Sequence, residues 1–345
     1  MSLGGDDELW PTLREMKVSV YRLGLSGSLG MVRAVPRLRR VFRGLSPDLV
    51  HTYEPWAGVA ARLAAPDGVP LIRAFDRMPP VTGHVRSRLM AGMERRARRK
   101  GRAHTLLAAH EGLRAAVAER YGTADVEVVH DCVDVPAVRE RVAARPRAQA
   151  RVRLGILPEE VAFACVRPFE VRPRVEDILG GFATARMERD DLRLLLLGTG
   201  PEEHFARWRA EDLRLGDAVV FLGAGADPYG VWSACDGVVD GAPGIAWSRT
   251  LLEAVAAGLP VLKWTDARGA SPGDAAMTAL PAGRPDRFAV ELLRLANDEA
   301  HRRRARAGVE ELAARIDVAR VAERLEELYT SLIEGAAPGR TRGPA

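Results

Sequence analysis

Short runs rich in Val, Leu, Ile and Phe alternate with amphipathic helical stretches along almost the whole of this 345-residue chain. That alternation constrains the fold more than any single motif, because it is the pattern of parallel strands joined by crossover helices. Candidate strands are Val18–Leu23, Asp48–Thr52, Leu71–Phe75, His104–Ala108 and Val126–Val129. After an interruption come Ala162–Val166, Leu192–Leu197, Val219–Leu222, Gly237–Val239 and Val261–Lys263. Helical stretches fill the gaps, among them Met31–Arg43, Trp56–Ala64, Val85–Lys100, Glu176–Met187 and Phe288–Ala296. The run Leu194-Leu-Leu-Leu197 is apolar at successive positions, as in a strand covered on both faces. Two such series joined near Asp131–Pro136 predict an α/β protein of two Rossmann-like domains, 1–134 and 135–317, with parallel sheets facing one another across a cleft. The final helix, 318–334, carries an apolar stripe suited to crossing back onto the first domain. Residues 335–345 are mostly Gly, Pro, Arg and Ala, the composition of a disordered tail.

Within the second series, residues 241–262 read as a Gly/Pro loop, a helix opening near Ser248, a stop at Gly258 and a buried strand from Val261. A loop feeding a helix N-terminus presents unpaired N–H groups and a partial positive charge, so it can receive a phosphate. Glu253 lies inside that helix with apolar neighbours, where a carboxylate needs a partner. Facing solvent or an arginine is the plainer alternative.

The formal charge of +5 narrows the function less than its size suggests. The excess is arginine, with lysine only at Lys17, Lys100 and Lys263, and no nucleic-acid-binding motif accompanies it. Cys132, Cys165 and Cys235 lie far apart, with neither metal spacing nor a paired framework, which favours a reducing cytosol. No apolar run reaches membrane-spanning length and no signal peptide precedes the fold, so a cytoplasmic protein is expected.

Several segments, in this order and spacing, resemble the GT-B glycosyltransferases of family 4. They are Pro47-Asp-Leu-Val-His-Thr52, Gly68-Val-Pro70, Val128-Val-His-Asp-Cys-Val-Asp134, Val175-Glu-Asp-Ile-Leu179, Leu194-Leu-Leu-Leu-Gly-Thr-Gly-Pro-Glu202, Val220-Phe-Leu-Gly223 and the stretch 251–262. The resemblance runs from about residue 17 to residue 334. It implies retaining, metal-independent transfer from a nucleotide-diphosphate sugar (UDP-, GDP- or ADP-linked) to a small-molecule acceptor, with no permanently bound cofactor and no metal. Charge growing on the departing diphosphate must then meet cations and N–H dipoles.

Carried over residue by residue, the resemblance makes Glu253 the carboxylate that holds the ribose hydroxyls, with Thr250 in the turn before it and Ser248 and Arg249 at the helix mouth. The family's partner carboxylate position is Ile245, and its histidine position past Leu71–Phe75 is Asp76. Its Arg and Lys positions fall on Pro168 and Pro173, while Arg167 and Arg172 keep the five-residue separation one place earlier, with Arg174 nearby, as phosphate-binding cations or as surface arginines of an Arg-rich chain. The turn at Gly198 and Gly200 borders the nucleotide in the family. Residues 1–16 are too few for the family's opening strand-helix-strand unit, so the resemblance implies either that the gene start lies upstream or that Val18–Leu23 pairs directly with Asp48–Thr52.

The residues themselves supply the remaining candidates. His51, Tyr53, Glu54 and Trp56 follow a strand's C-terminal end, where open α/β sheets place ligands. They make an acceptor pocket, with His51 and Asp76 as catalytic candidates. Packing by Trp56 and an Asp76–Arg77 ion pair are the structural alternatives, and His110 and Glu111 read as a helix cap. The segment Arg86–Arg102 fits either peripheral contact with anionic membrane or a solvated helix face. A contrasting reading of the whole chain is a catalytically degraded homologue that binds a nucleotide or partner as a regulator or scaffold.

Overall fold

The computed structural model describes residues 10–21, 27–53, 55–77, 104–166, 168–242, 247–264 and 275–335, with backbone only at 10, 27–32, 55 and 56. The chain divides into two compact units, one of residues 1–109, 116–129 and 324–345 and the other of 110–115 and 130–323.

The first unit holds α1 (Trp10–Glu15), α2 (Gly27–Leu45), β1 (Val50–Tyr53), α3 (Pro55–Ala64), β2 (Leu71–Phe75), β3 (Thr105–Ala108), most of α4 (Glu111–Tyr121) and β4 (Val126–Val128). Its strands are parallel in the order β1-β2-β3-β4, with Val50 opposite Leu71, Ile72 opposite Thr105 and Leu106 opposite Val126. Leu38 and Phe42 of α2 pack with Ala60, Ala61 and Ala64 of α3 and with Val50 and Leu71. Ile72 and Leu107 pack instead with Leu328 of α13 (Val318–Gly335), flanked by Leu325, Tyr329 and Leu332. Positions 325, 328, 329 and 332 form one apolar stripe of a 3.6-residue period, which returns the end of the chain to the first sheet.

The expected strand at Val18–Leu23 does not form over its described residues. Lys17 adopts φ 59°, and the Val18 N–H donates back to the Leu13 carbonyl at 2.9 Å, closing α1 with a left-handed cap. That cap takes the first ladder donor of the segment and leaves Val18 and Tyr21 exposed. Residues 22 and 23 lie outside the described set.

The second unit runs α5 (Val135–Ala143), α6 (Arg147–Arg153), β5 (Val161–Val166), α7 (Arg172–Glu188), β6 (Leu192–Leu197), α8 (Glu203–Asp212), a 3₁₀ turn at Gly216–Ala218 and β7 (Val219–Gly223). It continues through α9 (Pro228–Ala234), β8 (Gly237–Asp240), α10 (Arg249–Ala256), β9 (Val261–Trp264), β10 (Thr278–Leu280), α11 (Pro285–Asn297) and α12 (Glu299–Ile316). Its strands pair in parallel in the order β10-β9-β8-β5-β6-β7. Alternate residues feed two cores. Ala162, Ala164, Leu195 and Val238 join Trp232, Leu251 and Ile316, whereas Phe163, Cys165, Leu194 and Leu262 join Ile178, Phe182 and Phe288. Both faces are covered, hence the unbroken apolar runs. Winding proceeds outward from β5 through β6 and β7, then restarts beside β5 with β8. The crevice at the C-terminal ends of β5 and β8 is therefore a topological switch point, the place where such sheets bind ligands.

Candidate functional site

Two loops leave that crevice, one after Val166 and one after Asp240, and the Gly241 N–H donates to the Val166 carbonyl at 2.8 Å to join them. Asp240 and Lys263, opposite one another in register, form an ion pair with both side chains fully buried. The other Asp240 oxygen accepts the Ala242 N–H at 3.1 Å, so the pair also holds the first two residues after β8. Neither charge is tolerable here without the other. Burial and the Asp240 charge push the neighbouring Cys165 thiol well above its usual range.

The loop after β5 is held by β6–α8. Glu202 N–H donates to the Phe169 carbonyl at 3.1 Å, and a Cβ on Gly200 would lie 2.6 Å from that oxygen, so only glycine fits. Gly198, at φ 125°, adopts backbone that side chains disfavour and donates its N–H to Gly223. Arg172 donates to Glu202 at 2.9 Å and lies 4.5 Å over the Phe205 ring, with 62% of its side chain exposed. Arg167 lies outside the described residues. Arg174 turns inward: it donates to Asp177 at 3.0 Å and stacks 4.4 Å over Trp264, and Asp177 also accepts the Gly283 N–H. Burial pulls the Arg174 pKa down and raises that of Asp177, each toward its neutral form.

The loop after β8 ends at Trp247, whose ring stacks on His110 at 4.9 Å and His130 at 5.9 Å, nearly parallel to both. Ser248 then caps α10, its hydroxyl accepting the Leu251 N–H at 3.1 Å. Glu253 is 8% exposed, and Arg249 donates to its Oε1 at 3.1 Å. Among the described residues Arg249 is its hydrogen-bonding partner, and that guanidinium is 83% exposed. Thr250 is half-buried on the first turn. Arg139 donates to the Ala256 carbonyl at 3.0 Å, placing positive charge at the negative end of the same helix. Ile245 is outside the described residues.

In the first unit, His51 shares a 2.6 Å hydrogen bond with the Tyr329 hydroxyl and stacks on Tyr53 at 4.6 Å. Its other ring nitrogen, Nε2, is buried and without a partner among the described residues. Burial lowers its pKa to about 4 from 6.5. The unfolded chain therefore takes up this proton more readily, so the stability from neutral His51 is full above pH 6.5 and is lost as pH falls toward 4. We expect His51→Gln to flatten the pH dependence of the urea midpoint in that window, and an unchanged difference between pH 7 and pH 4.5 would contradict this. Tyr53 is 58% exposed. Asp76 pairs with Arg77 at 3.5 Å, both largely exposed; in the second unit His110 accepts the Leu113 N–H at 3.2 Å, a capping contact. Glu54 and the Trp56 side chain lie outside the described residues, as does the segment Arg86–Arg102.

The structure thus gathers Arg172, Gly198 and Gly200 on two interlocked loops and Ser248, Arg249, Thr250 and Glu253 on one helix start. His51 and Tyr53 adjoin one another in the other unit. The Asp240–Lys263 pair and the Arg174–Asp177–Trp264 cluster escape sequence reading, although a lysine between Leu262 and Trp264 signals a buried acid opposite it. Among the described residues no helix is long and apolar enough to cross a membrane.

With this geometry in place, two family models match, that of the Glycosyl transferase 4-like domain over residues 2–132 and that of Glycosyl transferases group 1 over residues 163–298. The alpha-monoglucosyldiacylglycerol synthase of Streptococcus pneumoniae is 26% identical over 116 residues, or 33% of this chain; the match spans only 26% of that protein's length. Among solved structures, Anabaena HepE in complex with UDP has a TM-score of 0.72 at 18% identity, covering 96% of this chain and 91% of that one. A glycosyltransferase from Rickettsia africae has a TM-score of 0.67 at 13% identity, covering 96% and 89%. At these identities the structural likeness speaks to the fold alone.

Proposed function

We infer, for a chain that belongs to the family 4 glycosyltransferases of GT-B fold, that it transfers a sugar with retention from a nucleotide-diphosphate donor to a small-molecule acceptor, without a metal. The observation that carries this reading is Glu253: a nearly buried carboxylate, one turn into a helix that begins beside the switch point, with an exposed arginine as its partner. Such a group can accept two ribose hydroxyls at little cost in lost protein contacts. The α10 N-terminus and Arg249 would face the diphosphate, with Gly198 and Gly200 bordering the nucleotide and Arg172 exchanging Glu202 for a phosphate oxygen. Tyr53, Glu54 and Trp56 are the acceptor contacts, and Asp76 orients the acceptor hydroxyl, amine or thiol.

In the reaction, the donor C1–O bond breaks and a C1–acceptor bond forms on the same face. The acceptor proton passes to an oxygen of the leaving diphosphate, so no protein base is required, and His51 needs no proton-transfer role. Stabilising the departing charge is then the main catalytic demand.

A second reading is supported by Arg172 and Arg174 already holding Glu202 and Asp177: a homologue that binds the nucleotide without transfer. A thermal-shift series in EDTA with UDP, GDP, ADP and their sugars tests the site. UDP comes first because HepE is solved with UDP and with UDP-glucose. We expect one diphosphate to raise the midpoint and Glu253→Ala to abolish the rise, while indifference to every nucleotide removes both readings. Release of free diphosphate from the matching sugar nucleotide separates the first reading from the second.

A further inference from the structure

We infer a second ligand site in the second unit, built for a small amphiphilic organic monoanion and separate from the nucleotide loops. Between α6, α9 and the end of β7 lies a cavity of about 380 Å³, within the size range of small-molecule sites. Its lining comes from residues 144–154 and 222–231, so none of it belongs to the loops carrying Arg172, Gly198, Gly200, Ser248 or Glu253.

The floor is apolar. Ala150 and Val231 are buried, and Leu154 and Leu222 stand half-buried beside them. Small residues open the wall, and a Cβ at Gly225 would meet no atom within 4 Å. Charge on the rim is unbalanced. Asp227 pairs with Arg145 through one oxygen and accepts the Tyr229 N–H at 3.2 Å through the other, so those two side chains neutralise each other. Arg153, exposed in the last turn of α6, has no ion-pair partner among the described residues, and Gln149 sits one turn before it. One uncompensated guanidinium beside an apolar floor complements a ligand with an apolar body and a single carboxylate or sulfonate. A free inorganic anion would use the cation and waste the floor, and a neutral lipid would do the reverse.

The test uses the full chain and 8-anilinonaphthalene-1-sulfonate, followed by its fluorescence, with decanoate as competitor. We expect saturable one-site binding, displaced by decanoate but not by equal concentrations of decanol, inorganic phosphate or UDP. Arg153→Glu should weaken the dye and decanoate about tenfold or more, the worth of one charge-assisted contact. Ala226→Trp, which fills the cavity, should abolish both. Arg153→Gln gives an independent reading should the tryptophan variant fail to fold. Each soluble variant is expected to keep its nucleotide-induced thermal shift, so this site and the nucleotide site fail separately. Displacement by UDP, competition by decanol equal to that of decanoate, or unaltered dye binding in Arg153→Glu and Arg153→Gln would each overturn the inference.

Discussion

Asp240→Asn should destabilise the protein by about 3–5 kcal/mol, because it removes the counter-charge of the fully enclosed Lys263. The asparagine keeps the shape and can still accept from Ala242, so the loss isolates the charge rather than the loop contact. For a unit of this size the thermal midpoint should fall by roughly 6–20 °C. Charge removal from both sides behaves differently: Asp240→Leu combined with Lys263→Met should recover most of the stability, since apolar replacement of a buried pair is often neutral or better. Urea unfolding of the two variants measures this. Equal losses in the single and double variants would show that the pair contributes through packing and not through charge.

Glu253→Ala should weaken diphosphate binding by about 10–100-fold, the loss of one hydrogen-bonded carboxylate contact worth about 1.5–3 kcal/mol. The unliganded protein should hardly notice. The Glu253 partner is a guanidinium 83% exposed, and such pairs contribute about 0–1 kcal/mol. A large affinity loss without a stability loss is the signature of a group kept for its ligand. A destabilised apoprotein with undiminished nucleotide binding would make Glu253 a structural residue.

Much of the architecture was legible because the two periods are physically distinct. Leu71–Phe75 and Leu192–Leu197 occupy the expected limits, and the strands ending at Val166, Asp240 and Trp264 differ from expectation by one residue at an end. These strands are buried on both faces, so their apolar runs stand out against Gly and Pro boundaries. Val18–Leu23 misled because alternation says nothing of where the ladder donors go, and the Val18 N–H closes α1 instead. Helix α12 was hidden by composition: its apolar contacts, Val309, Leu312, Ala313 and Ile316, crowd into its second half, behind an arginine-rich first half. At β10, three residues carry too little pattern to read.

The candidate site divides along the same line. Ser248 and Glu253 announce themselves locally, as a cap residue and an acid on an apolar helix face. The inward turn of Arg174 onto Trp264 and Asp177 depends on strands distant in sequence, and no spacing encodes it. The resemblance makes Arg172 a phosphate cation; its pairing with Glu202 means that a phosphate there would have to displace an existing contact. On the proposed function, that exchange would make diphosphate affinity depend more heavily on α10 and Glu253.

The most direct test of that dependence is a titration in EDTA with the diphosphate that gives the largest thermal shift and with its 2′-deoxy analogue. Wild-type protein should bind the ribose form about tenfold or more tightly, as expected for a hydroxyl held by a carboxylate, and Glu253→Ala should bind the two alike. Equal affinity for both nucleotides in the wild-type protein, or a preference that survives the alanine, would contradict the assignment of Glu253 to the donor ribose.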